Sequence, residues 1–305
     1  MARKPRRGRS VSGIVLLDKP VGYGSNQVLQ KVKRLFEARK AGHTGSLDQL
    51  ASGLLPICLG EATKFSGFLL NADKRYSAVF KLGTTTTTGD AQGDVVESKE
   101  VESITRKHLE DVISGFVGEI DQIPPMFSAI KHKGQRLYKL AHQGVEVERQ
   151  PRRIRIYEMQ VTDAGDDTVA VDVHCSKGTY IRTLAEDVGA ALGCGAHLHA
   201  LRRTASGPFD ESQMVSLNRL EALAGEGFDA LDAVLAPVEA ALGNCPQVRL
   251  PDNAAYYLKK GQAVLVPKSP TEGWVRLYQF GDDFLGVGEV LEDGRIAPRR
   301  LVVND

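Results

Sequence analysis

Cysteine is sparse in this chain: four residues in 305 (Cys58, Cys175, Cys194 and Cys245), with no CxxC pair among them. That excludes a disulfide framework and a four-thiolate zinc site. No run approaches the roughly 18 uninterrupted apolar residues of a membrane-spanning helix. The opening MARKPRRGRS lacks the apolar stretch of a secretory signal, so no membrane partner and a cytoplasmic location are expected. Also missing are a GxGxxG between strand and helix and the Lys-Ser/Thr pair that closes a P-loop, so neither a dinucleotide nor a nucleoside triphosphate has support. No cofactor is expected. His197 and His199 near Cys194 lack a further ligand at suitable spacing; they read as surface imidazoles at a Gly-rich helix exit, and no metal is expected.

What is present is ordinary globular composition, 42% apolar and 25% charged, which excludes disordered, collagen-like and coiled-coil chains. A chain of this length amounts to about two domains and removes roughly 75% of its unfolded surface from water. The net charge of +1 conceals segregation. Arg3, Lys4, Arg6, Arg7 and Arg9 put +5 into the first ten residues, read as a basic flexible tail over 1–10. In residues 131–155, Lys131, Lys133, Arg136, Lys139, Arg149, Arg152, Arg153 and Arg155 face only Glu146 and Glu148, a surplus of +6. One basic run is usually a solvated face; two point to a polyanion.

Gly13 to Leu17 reads as a strand closed by the Asp18-Lys19-Pro20-Val21-Gly22 turn. A helix follows, with Ser25 as its cap and Val28, Leu29, Val32, Leu35 and Phe36 on one face. Ala41 to Gly53 is a Gly-punctuated polar segment with the look of a site loop, before the apolar run Leu54 to Leu59. Further elements are a helix around 62–69, a strand around 75–82, a turn-rich 84–93 and a helix around 106–116. Strands at 153–161 and 168–174 precede a helix from Ile181 to Leu192. Residues 124–152 break the pattern and read as an excursion from the core. From Pro246 onward, β-prone runs at 263–266, 274–280 and 284–291 alternate with turns, which predicts a small all-β domain; its eight basic and eight acidic residues leave it without net charge.

Two residues stand out chemically. Asp48 lies between Leu47 and Leu50, where a partly buried carboxylate is costly unless a cation or several donors hold it; a nearby Arg would depress its pKa and keep it nucleophilic. The plainer reading is a turn former. Arg182 falls in the first turn of its helix, where the macrodipole disfavours a cation. Either Glu186, one turn on, or a buried carboxylate elsewhere in the chain offsets this.

His43-Thr44-Gly45-Ser46-Leu47-Asp48 followed by Ala51-Ser52-Gly53 resembles the catalytic motif of the TruB family of pseudouridine synthases. The resemblance extends in order through Asp18-Lys19-Pro20, Lys74-Arg75-Tyr76, Pro124 to Ala129 with Leu137-Tyr138, Gly178 to Arg182, Gly195 to Leu198 and Leu201 to Thr204, spanning residues 13 to about 210. It implies an α+β fold: a pseudouridine synthase domain over 11–240, with a mixed, largely antiparallel sheet flanked by helices, an RNA-gripping insertion at about 124–152, and a small all-β PUA-like domain over 247–305. It further implies isomerisation of uridine 55 in the TΨC arm of tRNA after base flipping. A tRNA-binding folding chaperone, or the catalytic subunit of a guide-RNA-directed synthase, would be the alternatives; the simple length favours a monomer with no obligate protein partner. By residue, Asp48 would be nucleophile or base, Arg182 its ion-pair partner, and Tyr76 the ring that stacks on uracil and takes part in proton transfer. Tyr180 and Leu201 would wall the pocket, His43 would act as wedge, and Lys19, Lys131, Arg136, Arg149 and Arg152 would bind substrate. Gln49 stands where the family usually has proline, implying a looser loop; Phe127 replaces the usual Tyr, and His142 a frequent Arg.

Overall fold

The structure, a computed structural model, describes residues 8–141, 143–279 and 281–303. Arg3, Lys4, Arg6 and Arg7 of the expected tail, and His142, lie outside the described residues. Arg9 does not belong to a loose tail: it forms an ion pair with Asp232 at 2.5 Å and covers the Phe228 ring at 3.9 Å.

In chain order the first half comprises β1 (Gly13–Lys19), α1 (Ser25–Leu35), β2 (Ala41–His43), β3 (Ala51–Leu59), α2 (Ser66–Asn71), β4 (Lys74–Leu82), β5 (Thr84–Thr86), β6 (Val95–Ser98), α3 (Arg106–Ser114) and β7 (Gly118–Gln122). Among the described residues of the insertion the elements are β8 (Lys131–His132), β9 (Gln135–Arg136) and α4 (Leu137–Ala141). Then come β10 (Arg152–Ala164), β11 (Thr168–Cys175), α5 (Ile181–Ala191), β12 (Ala196–Ser206), β13 (Phe209–Asp210), β14 (Val215–Ser216), α6 (Leu217–Glu226) and α7 (Phe228–Asp232).

The main sheet runs β14-β1-β3-β12-β4-β11-β10-β7, with β2 and β13 paired beside it. Only β1/β14 and β3/β12 are parallel. The sheet is therefore mixed and largely antiparallel, as expected. Its middle explains the two apolar runs of the sequence. On β1, Val15 and Leu17 point into the core covered by α1, α5 and α6, while Ile14 and Leu16 point to the opposite face. Leu55 and Ile57 against Leu54 and Cys58 repeat this on β3. A strand buried on both faces has no polar face to show, hence a continuous run.

The C-terminal part is a four-stranded sheet of β15 (Gln247–Leu250), β16 (Gly273–Gln279), β17 (Asp283–Val290) and β18 (Ile296–Leu301), carrying α8 (Asp252–Lys259), a helix not singled out in the sequence. Of the expected strand at 263–266 only a single bridge, Val264 to Ile296, is present, and Ile296–Leu301 takes the edge instead. This unit packs on the second face of the main sheet through Phe65 against Phe284, centroids 5.7 Å apart, and Phe68 against Trp274 at 5.3 Å. Among the described residues no helix is long and apolar enough to cross a membrane.

The strand at the centre of the sheet, β12, is among those the sequence hid. It carries Arg202 and Arg203, and bulges near Leu198/Ala200 and Arg203/Ala205 break its alternation. His197 on this strand is buried, its Nδ1 donating to the Thr84 carbonyl at 2.8 Å, and so is no surface imidazole.

Candidate active site

The loop between β2 and β3 carries Asp48 across the end of the sheet. Ser25, expected as a helix cap, is the first helical residue of α1 behind Gly24. Its hydroxyl instead accepts from the Leu47 N–H at 2.7 Å and donates to the Leu47 carbonyl at 2.9 Å. The Gly22 N–H donates to the Gln49 carbonyl at 2.7 Å, and the Ala51 N–H to that of Asp48 at 3.1 Å. With the Leu47 side chain in the core, the backbone is held on both sides of the carboxylate. The clamp takes the Gln49 carbonyl, an acceptor that a proline at this position would equally offer.

Arg182 projects from the first turn of α5, only 6% of its side chain exposed, and its Nε lies 3.0 Å from Asp48 Oδ2 and 3.8 Å from Asp90 Oδ2. Nη1 donates to the Thr88 carbonyl at 3.0 Å and Nη2 to that of Phe127 at 2.7 Å. A carboxylate from far along the chain, not Glu186, is thus its ion-pair partner. These acceptors offset the unfavourable helix dipole. Phe127 serves through its backbone, so a missing tyrosine hydroxyl leaves that contact intact. Asp90 is itself fixed, accepting from Thr88 Oγ1 at 2.6 Å and from the Gln92 N–H at 3.0 Å. The sequence reading missed it: an Asp two residues before the amide it accepts from is an Asx-turn signal, which carries no hint of a distant arginine.

Asp48 keeps 45% of its side chain open on the cleft, yet protein surrounds it closely enough that burial pushes its pKa up. The Arg182 charge pulls it down, Asp90 raises it and Lys19 lowers it. The net direction is upward, contrary to the depression expected from an adjacent Arg. Lys19 is a second correction. It is fully buried, donating to the Pro20 and Tyr23 carbonyls at 2.9 and 2.7 Å, and so is not placed to touch substrate. Burial lowers its pKa to about 8, against the opposing pull of Asp48.

Asp48 and Arg182 border a cavity of about 850 Å³, also lined by Tyr76, Tyr180, Leu201 and Arg203 and walled on the insertion side by Ser128 and Tyr138. That lies within the range of small-ligand sites. Tyr180 is fixed through its backbone, its N–H donating to Gln122 Oε1 at 2.7 Å and its carbonyl accepting from Gln122 Nε2 at 3.0 Å. Burial raises the phenol pKa of Tyr76 and of Tyr180. His43 sits on β2 and does not line the cavity; burial, with the Arg203 charge, lowers its pKa, so it is neutral at pH 7. Of the insertion, Arg136 reaches the cavity wall and Lys131 is its partner across the hairpin. Arg152 begins β10 and is exposed. Arg149 is more occupied, donating to Glu146 at 3.1 Å and to the Pro124 carbonyl at 3.4 Å.

Residues 33–181 match the family described as TruB family pseudouridylate synthase (N terminal domain). Residues 182–243 match the tRNA pseudouridylate synthase B C-terminal domain, and 246–302 match Pseudouridine synthase II TruB, C-terminal. The chain is 57% identical over 302 residues to a tRNA pseudouridine synthase B of Nitrosococcus oceani, covering 98% of both chains. The chain belongs to the TruB family of pseudouridylate synthases. TruB relatives of the same name in Stutzerimonas stutzeri and Coxiella burnetii are 55% and 54% identical, over 99% and 96% of both chains. Among solved structures, one titled Cbf5-Nop10-Gar1 complex matches with a TM-score of 0.73 and 27% identity, over 96% of this chain and 84% of that one. Another, an H/ACA RNP bound to a substrate RNA containing 2'-deoxyuridine, shares the fold at TM-score 0.73 and 24% identity, over 99% and 92%.

Proposed function

We propose that this TruB-family chain converts uridine to pseudouridine at position 55 in the TΨC arm of tRNA, acting as a monomer in the cytoplasm. The observation that carries the reading is the Asp48–Arg182 contact at 3.0 Å on the border of an open cavity. In the reaction the N1–C1′ bond breaks, the detached uracil turns, C5 bonds to the same C1′, and the C5 proton leaves while N1 gains one. Nothing is oxidised. Asp48 either attacks the ribosyl carbon or removes a neighbouring sugar proton, and Arg182, held from three sides, keeps the carboxylate aimed and ionised.

Tyr76 stacks on the extracted uracil, and Tyr180 and Leu201 wall it in. His43, neutral and beside the site, fills the space in the loop that the flipped nucleotide leaves. Flipping costs a few kcal/mol, which stacking and phosphate contacts offset. Lys131, Arg136 and Arg152 supply those contacts, with Arg149 as their support. Residues 11–240 form the catalytic domain and 247–305 an RNA-binding one. Tritium release from tRNA labelled at uridine C5 tests the reading. Turnover that Asp48→Asn abolishes with tRNA binding retained supports it; binding without any release by the unaltered chain overturns it and leaves a folding chaperone.

A further inference from the structure

Arg203 is the largest fully buried side chain, 1% exposed, and it pairs with no carboxylate among the described residues. A buried guanidinium without a counter-charge is expensive and needs its donors used. Nε donates to the Leu54 carbonyl at 2.6 Å and Nη2 to that of Gly45 at 3.2 Å. Gly53 makes this possible: at φ +96° it sits where a Cβ would come within 2.3 Å of the Arg203 carbonyl oxygen, so β3 and β12 close up and the guanidinium passes under the Asp48 loop.

Across the other edge of β12, Arg203 stands directly opposite Tyr76 in register, and directly opposed residues project from the same face. Both side chains line the cavity, and the Arg203 charge opposes the rise that burial imposes on the Tyr76 phenol pKa. Arginine only donates, so toward it the phenol oxygen is an acceptor and its own hydrogen is free to point elsewhere. We propose that Arg203 is the positioning residue for Tyr76: it holds the ring in place and turns the hydroxyl hydrogen toward the nucleobase in the cavity. This rests on the reading that Tyr76 faces the extracted uracil. It also assigns a use to a buried cation that the Asp48–Arg182 pair does not require.

The test combines single-turnover tritium release, tRNA binding and a spectroscopic probe on Arg203→Lys, Arg203→Met, Tyr76→Phe and the double variants. Each Arg203 variant should lose about 10²-fold in rate, the scale of a misplaced reacting group, with tRNA affinity close to wild type. Added to Tyr76→Phe, it should lose little more. Effects that multiply in the double variants, or an unchanged rate in Arg203→Lys, overturn the proposal. With 3-fluorotyrosine at 76, the ¹⁹F titration midpoint should rise in Arg203→Met, because the cation favours the phenolate; an unmoved midpoint overturns it. Should the Arg203 variants fail to fold, Tyr76→Phe alone decides: loss of the acceptor should lower the melting temperature, whereas a neutral or higher value overturns the contact. If the unaltered chain releases no tritium, the proposed function fails, while the titration and melting results still judge the Arg203–Tyr76 contact.

Discussion

Lys74 and Arg203 lie buried on the cavity floor and Lys19 lies buried outside its lining, all three with their donors on backbone carbonyls, whereas Lys131, Arg136 and Arg152 stand exposed on and beside the insertion. The first group has given up water and cannot swing toward a phosphate without leaving its partners; the second keeps its water and forms no ion pair among the described residues. Identical side-chain chemistry therefore does two jobs. Buried cations hold the loop, the helix end and the strands that aim Asp48 and Tyr76, largely indifferent to salt. In the proposed function the exposed ones attract RNA by releasing counterions, a contribution that weakens steeply as salt rises.

The comparison breaks most decisively at the floor. Asp48→Asn should remove at least about 10⁴-fold of the single-turnover rate with tRNA affinity retained, since it removes the charge of the proposed nucleophile or base. Comparable loss of binding would mean that the carboxylate serves the fold. Arg182→Lys comes next, with a rate about 10²-fold lower despite the conserved charge, because an ammonium cannot reach Asp48, Thr88 and Phe127 together. Stopped-turnover assays at saturating tRNA measure it, and unaltered turnover would return Arg182 to a purely structural place.

The pH dependence sharpens the same contrast. Burial holds the Asp48 carboxyl above the ordinary carboxylate range, so activity, which needs the ionised form, should fall on acidification through that raised value. Arg182→Gln removes the charge that opposes the rise and should move this acid limb to higher pH. A shift downward would contradict the assignment of the limb to Asp48.

At the rim, changing Lys131, Arg136 and Arg152 together to Gln should leave the rate at saturation unchanged while reducing the salt dependence of tRNA binding by a slope of about 3. Binding isotherms across a salt series measure this; an undiminished slope would place the RNA elsewhere. The smallest effect is expected away from both groups. Arg9→Ala should cost about 1 kcal/mol or less in a denaturant melt, because its ion pair with Asp232 is only part-buried and sits far from the chemistry in role.

Much of the scaffold was legible because its signals are local. The doubly buried runs Ile14–Leu17 and Leu54–Leu59, the helical spacing from Val28 to Phe36 and the alternation of Val169, Val171 and Val173 each report their own environment. β12 was not legible, since its arginines obey partners on β1, β3 and β4 rather than any period within the strand. The same reason hid Asp90 and misplaced Lys19 at the RNA: a charged residue in a polar-looking segment carries no mark of whether folding will bury it.

The amino-acid sequence by itself determined which reactive groups exist, that Asp48 sits in a glycine-punctuated loop between apolar anchors, and that a basic insertion interrupts the core, because composition, spacing and charge are properties of neighbours along the chain. Only the tertiary structure decided that Arg182 meets Asp48 and Asp90 rather than Glu186, that Lys19 turns inward, and that Arg203 lies beside Tyr76. Those pairings are contacts across a ten-stranded sheet, and their energies depend on distance and dielectric, which exist only once the strands have come together.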